Sequence, residues 1–185
     1  VANFCKEVNL LTYIGTINSQ KDFILKNLQP NVIPILIEKS DSPTIVKRRY
    51  VDSYLLQKML EIYEMDDRPI SDHEELQAID KIEKCLTSSD VVIVNDFGHG
   101  LLSKRLRNRL CDSGIYLAVN TQINAANIGF HAISKYPRAN YISIHEGELR
   151  LDQRDRESDV KFLVKNLTTK LNSQMVMLTR GKSGS

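Results

Sequence analysis

Apolar runs and helical stripes alternate along most of the chain. Residues 8–14 are β-branched and apolar and end at Gly15, which is typical of a buried strand; residues 19–28 predict a short helix, and residues 31–39 a second strand. From residue 90 onward the runs VVIV, IYLAV, YISI and MVML recur with helical segments between them. Such repeats, with strands buried on both faces, predict a three-layer α/β/α fold with a mostly parallel sheet.

Two segments break this alternation. In TIVKRRYVD, residues 44–52, a basic cluster follows two apolar residues, and in MLEIYEMDD, residues 59–67, apolar and polar side chains alternate. Alternation with period two is the pattern of a half-exposed strand. We therefore expect these segments to form a small antiparallel pair apart from the parallel sheet.

The helices carry local signals of their own. Ser71 and Glu74 have the spacing of a capping box, in which each residue satisfies the backbone amide of the other. Residues 103–111 predict a helix, and residues 159–171 carry a clear amphipathic stripe. The connection over residues 120–137 is rich in asparagine and predicts no more than one helical turn.

Polar residues follow directly after each apolar run of the predicted parallel sheet. In such sheets ligands bind in the crevice beyond the carboxyl ends of the strands. Four strands that all end this way are a stronger indication of a site than any one of them. The candidates are Asn95, Asp96, Gly98, His99 and Gly100; Asn120, Thr121 and Gln122; His145, Glu146 and Glu148; and Thr179, Arg180 and Gly181.

The last of these strand ends, TRGKSG, contains the Gly-Lys-Ser of a phosphate-binding P-loop. That loop needs a glycine five residues before the one at 181, and Val176 stands there. What remains is Thr-x-Gly-x-x-Gly after a strand. Its glycines would let backbone amides approach an anion, but an ordinary glycine turn fits the pattern equally well.

The other charged candidates also have two interpretations. Glu146 and Glu148 could hold Mg²⁺ through water, or favour a helix N-terminus by their charge. Asp96 could meet a polyol or belong to a turn. Lys47 and Arg49 share one face of their strand, where they could grip a phosphate or protect an exposed edge strand.

Composition narrows the classes of function. A formal net charge of +2 on 185 residues gives no electrostatic case for a nucleic-acid or membrane partner. No apolar run reaches the ~20 residues of a membrane span, and the first residues lack the pattern of a secretory signal. Three widely spaced cysteines indicate reduced thiols in a cytoplasmic protein. Nucleophile-elbow, zinc-ligand and dinucleotide-binding patterns are absent from the sequence, which argues against hydrolase, zinc and dinucleotide-cofactor classes.

The order of the pieces resembles a known family. The ribokinase-like (phosphofructokinase-B) carbohydrate kinases have, in this order, two lid strands and the blocks Asp-Tyr-x-Lys-Gly, Asn-x-x-Glu and Thr-x-Gly-x-x-Gly. Here SPTIVKRRYVD and LEIYEMDD resemble the lid strands, NDFGHGLLS resembles the first block, IHEGE the second and TRGKSG the third. SPTIVKRRYVD and residues 119–151 are similar to the heptose-phosphate kinase domains of bifunctional kinase–nucleotidyltransferases. The resemblance covers nearly the whole chain. Two positions depart from the pattern: His99 replaces the lysine, and His145 the asparagine.

The resemblance implies ATP and Mg²⁺ as cofactors and a sugar or sugar phosphate, such as a heptose 7-phosphate, as substrate. Glu148 would order Mg²⁺ and its waters, and the lid, within about residues 32–67, could also form a homodimer. The resemblance further implies a nucleotide site and a substrate site. The nucleotide site would comprise His145, Glu148, Thr179, Arg180, Gly181 and Gly184, and the substrate site Lys47, Arg49, Asp96 and His99.

The resemblance also implies that 1–185 is an incomplete kinase domain. The family's catalytic base lies in a Gly-Ala-Gly-Asp loop, which would follow Ser185, so no catalytic residue is assigned and the fragment itself is expected to be inactive. A nucleotidyltransferase domain could be fused to the longer protein. The departures at His99 and His145 keep two other hypotheses open, a catalytically silent nucleotide- or sugar-binding module and a purely structural one.

Overall fold

The computed structural model describes residues 1–124 and 127–185, which form two compact units, Val1–Ile82 and Glu83–Ser185. The fold is mixed α/β with a mostly parallel set of strands and a small antiparallel pair, as the sequence predicts. Among the helices of the described residues, none has the length and apolar character needed to cross a membrane.

The first unit contains four strands. Strand β1 (Val8–Ile17) is followed by helix α1 (Lys21–Asn27) and pairs in parallel with β2 (Val32–Pro43). Strands β3 (Val46–Val51) and β4 (Lys58–Glu64) form the predicted antiparallel pair. Within the 32–67 range that the resemblance assigns to the lid, the antiparallel hairpin is therefore residues 46–64, and β2 belongs to the parallel pair.

A buried lysine ties β2 to the segment after β4. The ammonium of Lys39 donates to the backbone oxygen of Asp66 at 2.7 Å, lies 3.8 Å from its carboxylate and sits 5.3 Å from the centre of the Tyr13 ring. Desolvation in this setting lowers the pKa of Lys39, against the opposing charge of Asp66. The Asp66 carboxylate accepts in turn from the Ser42 hydroxyl at 2.7 Å.

Helix α2 (Asp72–Leu86) begins at the predicted capping box and runs across the boundary between the units. Glu74 Oε2 accepts from the amide of Ser71 at 2.7 Å, and Ser71 Oγ accepts from the amide of Glu74 at 3.3 Å. Glu74 is buried, and its other oxygen accepts from the Ser40 amide of β2 at 2.7 Å. The cap thus also fixes the helix against the sheet.

The second unit is a four-stranded parallel sheet with three helices. In chain order its elements are β5 (Val91–Asp96), α3 (Lys104–Asp112), β6 (Tyr116–Thr121), a 3₁₀ turn (Ile133–Lys135), β7 (Tyr141–His145), α4 (Glu146–Gln153), α5 (Val160–Leu171) and β8 (Met175–Thr179), then a 3₁₀ turn (Gly181–Ser183). The strands pair in the order β5-β6-β7-β8.

The amphipathic stripe of α5 is confirmed, because Leu163, Leu167 and Leu171 are fully buried. The helix is capped at its N-terminus by Asp159, whose carboxylate accepts from the Lys161 amide at 2.8 Å. In this helix the period of the apolar residues, 3.6, places them on one face toward the core.

The sheet of the second unit buries only one of its faces. Val94, Leu117, Val119, Ile142 and Ile144 point into the core, whereas five apolar side chains on the other face are 40–58% exposed. The prediction that these strands are buried on both faces is therefore wrong for the described residues. Apolar runs carry no period-two signal that could have distinguished the two faces. The exposed set is Val91, Ile93, Tyr116, Met175 and Met177.

Candidate functional site

The polar strand ends of the second unit meet at one edge of its sheet, as predicted. Parallel register places His145 of β7 beside Thr179 of β8. The Asn120 side-chain amide donates to the Ser143 backbone oxygen at 2.9 Å, which ties β6 to β7 near that edge. The side chains that follow these strand ends form the candidate site.

Asp96, at the end of β5, is the centre of a buried polar cluster. Its Oδ2 accepts from the Tyr136 hydroxyl at 2.6 Å and pairs with the Lys135 ammonium at 2.6 Å, while Oδ1 accepts from the Gly98 amide at 3.0 Å. Burial alone would raise the pKa of Asp96, but the bonds from Lys135 and Tyr136 and the lysine charge hold it below its ordinary value. Asp96 is therefore an ionised carboxylate with hydrogen bonds on both of its oxygens.

Burial and the neighbouring Asp96 carboxylate raise the pKa of Tyr136 far above its ordinary value, so its hydroxyl stays protonated and donates. The Tyr136 ring also lies below two cations, with the Arg107 guanidinium 5.9 Å and the Lys135 ammonium 5.7 Å from its centre.

His131 completes the cluster in a defined tautomer. Its Nε2 lies 2.9 Å from the backbone oxygen of Asp96, which can only accept, so Nε2 carries the proton. Its Nδ1 lies 2.8 Å from the Lys135 ammonium and therefore accepts. Burial lowers the pKa of His131, and the nearby cations Lys135 and Arg107 add to this against the charge of Asp96.

The loop of residues 97–100 follows Asp96 and contains two glycines with positive φ, Gly98 at +73° and Gly100 at +88°. His99 is buried and stacks on Phe97, with 6.4 Å between ring centres and an interplanar angle of 8°. The candidate substrate contact at His99 thus lies against an aromatic ring.

Two asparagines of the long connection hold this loop in place. Asn124 and Asn127 each accept from the amide of the other, at 3.1 and 2.8 Å, and both side chains donate to the Phe97 backbone oxygen at 3.2 Å. The asparagine-rich composition of the connection is explained by this role. The intervening residues 125 and 126 lie outside the described part of the chain.

The candidate magnesium ligand Glu148 belongs to a capping box at the start of α4. One carboxylate oxygen accepts from the His145 amide at 3.1 Å and the other from the Ile123 amide at 3.0 Å, while His145 Nδ1 accepts from the Gly147 amide at 3.1 Å. The interpretation of an acidic helix N-terminus thus accounts for Glu148 and His145 locally, and through Ile123 the cap reaches the end of β6.

The geometry of Glu148 is compatible with a magnesium ion that is held through water. Across residues 1–124 and 127–185 the structure has no group of three or more His, Cys, Asp or Glu that could hold a metal. Magnesium keeps several waters and needs only one or two carboxylates beside substrate phosphates, and each carboxylate oxygen has two lone pairs. With one lone pair on each oxygen used by an amide, Glu148 could still accept from a magnesium-bound water.

The loop after β8 closes on itself. The Arg180 amide donates to the Gly184 oxygen at 2.8 Å, and the Gly184 amide donates to the Gly181 oxygen at 3.1 Å. Arg180 also pairs with Glu146 at 2.9 Å, and Glu146 accepts from Arg150, so both guanidinium groups lower the pKa of Glu146. Glu146 thus links this loop to α4 as a salt-bridged residue.

The two lid cations, Lys47 and Arg49, lie in the first unit, on the same face of β3, as predicted. Across the hairpin, Arg49 pairs with the Glu61 carboxylate, and the Lys47 ammonium lies 5.2 Å from the centre of the Tyr63 ring. Hydrogen bonds from Tyr63, Lys58 and Arg49 lower the pKa of Glu61 to about 2. The charge of Arg49 is therefore balanced within the hairpin, in accord with the edge-strand interpretation.

Sequence reasoning missed the side chains that organise the site. It assigned no role to His131, Lys135 and Tyr136, nor to Asn124 and Asn127, although all five lie in the connection that resembles the heptose-phosphate kinases. The available signal was chemical: a buried aspartate at a strand end requires a cation, and Lys135 is the cation of that connection.

No protein-family model matches this sequence, and no curated protein matches it. Solved structures do share its fold. Phosphofructokinase-2 from Escherichia coli in complex with fructose-6-phosphate matches with a TM-score of 0.68 at 11% identity, over 97% of this chain and 59% of that one. Ribokinase from Giardia lamblia matches with a TM-score of 0.65 at 14% identity, over 94% and 52%.

A possible 1-phosphofructokinase from Thermotoga maritima is similar as well, with a TM-score of 0.66 at 13% identity over 93% of this chain and 54% of that one. These proteins are carbohydrate kinases, and at such low identity the likeness establishes the fold alone. The chain spans little more than half the length of the structures it matches.

Proposed function

We propose that this chain forms the core of an ATP-dependent carbohydrate kinase that phosphorylates a hydroxyl of a sugar or sugar phosphate. The observation that carries the proposal is the convergence of four polar strand ends at one sheet edge, in a fold shared with solved sugar kinases. Phosphoryl transfer depends on positioning and on charge stabilisation, and both are supplied from strand ends of this kind.

In this proposal the nucleotide lies over the ends of β7 and β8. Glu148 contacts the waters of Mg²⁺, and His145, Thr179, Arg180, Gly181 and Gly184 line the phosphates. Arg180 is half-exposed and its guanidinium is already oriented by Glu146, which supports a contact with an anion at this loop. Bound Mg²⁺ would neutralise charge on the transferred phosphoryl group.

The substrate side is assigned to the end of β5, with the lid cations Lys47 and Arg49 as further contacts for a substrate phosphate. A heptose 7-phosphate is the proposed substrate within the class. The base that takes the proton of the sugar hydroxyl is assigned to none of the described residues, because Asp96 is held by Lys135 and Tyr136. We therefore expect these 185 residues alone to bind their ligands without turnover.

A second candidate is a nucleotide- or sugar-binding module without catalysis. The stacking of His99 on Phe97 and the engagement of both Glu148 oxygens by backbone amides favour it. Calorimetric titration with Mg-ATP separates both functions from a purely structural one, which predicts no binding.

The test of catalysis is ATP consumption by the full-length protein across a panel of hexose and heptose phosphates. Sugar-dependent consumption supports the kinase, and tight Mg-ATP binding with no consumption on any sugar favours the silent module. A matched pair of variants tests whether the nucleotide binds at the loop after β8. Arg180→Met should weaken Mg-ATP binding severalfold, whereas Arg154→Met, at the end of α4, should leave it unchanged. Equal affinities in the two variants would remove the nucleotide from the loop after β8.

A further inference from the structure

The end of β5 lacks the lysine that the resemblance places at position 99, yet it does not lack a cation. His99 is buried and stacks on Phe97. Lys135, from the 3₁₀ turn of the long connection, brings its ammonium to the same strand end, 2.6 Å from Asp96 Oδ2. A positive charge thus reaches this edge from a different segment of the chain.

The side chains of the cluster around Asp96 differ in their exposure to solvent. The side chains of Asp96 and His131 are 5% and 6% exposed, whereas that of Lys135 is 20% exposed. Lys135 is therefore the most solvent-accessible of these three side chains.

The hydrogen bonds of Lys135 fix its ammonium and leave it one donor. Within the described part of the chain its hydrogen-bond partners are Asp96 Oδ2 at 2.6 Å and His131 Nδ1 at 2.8 Å, and it also lies 5.7 Å from the centre of the Tyr136 ring. An ammonium has three N–H groups, so two are used and the third remains for a ligand. A cation held in this way loses little side-chain freedom when it binds an anion.

Asp96 itself is unsuited to be the substrate ligand. Its oxygens already accept from the Tyr136 hydroxyl and the Gly98 amide as well as from Lys135, and it is the more buried partner of the ion pair. Oδ1 keeps one lone pair, but a sugar hydroxyl would have to reach it in a buried setting, whereas the more exposed lysine can be approached without displacing a hydrogen bond.

We propose that Lys135 is the substrate-contacting cation of this strand end, taking the role that the resemblance gives to position 99. Its ligand is a phosphoryl group of the sugar phosphate, so this inference rests on the proposed kinase function. Asp96 and His131 are positioning residues that orient the ammonium, and Asp96 is not itself a sugar ligand.

The test compares three variants of the full-length protein with fructose 6-phosphate, sedoheptulose 7-phosphate and Mg-ATP as probes in calorimetric titrations. Lys135→Met alone leaves the Asp96 carboxylate buried without its cation and could unfold the second unit. The double variant Asp96→Asn with Lys135→Met removes both charges, and the asparagine keeps an oxygen that can accept from the Gly98 amide and an NH2 that can donate to the Tyr136 hydroxyl. Lys170→Met, on the exposed side of α5, is the matched control.

We expect the folded double variant to bind the sugar phosphate at least about tenfold more weakly than the wild type, with Mg-ATP affinity changed less than about twofold. Lys170→Met should bind both probes as the wild type does. Circular dichroism and the unfolding temperature establish that each variant is folded before titration.

The inference is overturned if the double variant binds the sugar phosphate as tightly as the wild type, or if the wild type binds Mg-ATP but neither sugar phosphate. Failure of the proposed function looks different. If the wild type binds a sugar phosphate through Lys135 and never binds Mg-ATP, the lysine assignment stands and the kinase does not.

Discussion

Gly98 lies against the imidazole of His131 and the side-chain amide of Asn127, so closely that a Cβ at Gly98 would come within 2.8 Å of His131 Nδ1 and closer still to Asn127 Nδ2. The His131 nitrogen is the acceptor for the Lys135 ammonium, so any shift of the ring would disturb the whole Asp96 cluster. Glycine is required at this position for two reasons, the close contact and the positive φ of +73°.

The substitution Gly98→Ala should therefore be markedly more destabilising than an alanine at another glycine with the same backbone. Gly114 has a φ of +74° and nothing within 4 Å of the point where a Cβ would lie, so Gly114→Ala carries the backbone strain alone, about 1–2 kcal/mol. Gly98→Ala should lower the free energy of unfolding by about 1–3 kcal/mol more. Urea denaturation of both variants measures the difference, and equal losses would show that the side chains of Asn127 and His131 move aside at no cost.

Glu74 joins the cap of α2 to β2, and its removal should show in stability. The Ser40 and Ser71 amides donate to different oxygens of Glu74, so Glu74→Gln removes the charge and leaves one of these amides facing an NH2 donor in a buried position. We expect a loss of about 1–3 kcal/mol in the free energy of unfolding. Asp72→Asn, an exposed carboxylate of the same first turn, is the control and should change it by less than about 0.5 kcal/mol. A loss at Asp72 as large as at Glu74 would assign the effect to the helix dipole.

Acid should weaken the second unit through His131. The folded-state pKa of His131 lies below its ordinary 6.5, so between these two values the unfolded chain binds a proton that the folded chain does not. The stability due to the neutral ring is present above about pH 6.5 and is lost as pH falls toward the folded pKa. Asp96, Lys135 and Arg107 are the charged groups that face it.

The variant His131→Gln keeps a donor for the Asp96 carbonyl and has no group that titrates there. It should be less stable than the wild type at pH 7.5, and the gap should narrow at pH 5. Chemical denaturation at the two pH values provides the measurement. A gap that stays constant would mean that His131 takes up its proton equally in the folded and unfolded chains.

The hairpin of β3 and β4 exposes a cross-strand apolar pair, Tyr50 opposite Leu60, each about half exposed. If the hairpin mediates a homodimer, Leu60→Glu should convert the dimer to a monomer in sedimentation velocity, because it places a charge in the apolar contact. Phe23→Glu, at an exposed position of α1, is the matched control and should leave the sedimentation coefficient unchanged. A wild type that sediments as a monomer at high concentration excludes this interface.

Local patterns predicted much of the fold. The capping box of Ser71 and Glu74 and the stripe of α5 depend on residues three or four positions apart, so the sequence contains the whole interaction. The strand ends were predictable for the same reason, since each polar segment directly follows its apolar run. Parallel pairing then brings those segments to one edge without further information.

The partners of Asp96 could not be predicted in this way. Lys135 and Tyr136 lie 39 and 40 positions further along the chain, in a connection that has neither helical nor strand period. Only the packing of that connection onto the end of β5 brings them together. The same applies to Arg49. The face of β3 on which it lies could be predicted from the sequence, but its pairing with Glu61 depends on the register of the hairpin.

The exposed face of the β5–β8 sheet has a practical consequence for the isolated chain. Its five half-exposed apolar side chains favour contact between molecules over contact with water. We therefore expect folded molecules of the isolated chain to associate through this face as the concentration rises. Ammonium sulfate will promote this association, because excluded salts strengthen apolar contacts, whereas low concentrations of urea will weaken it.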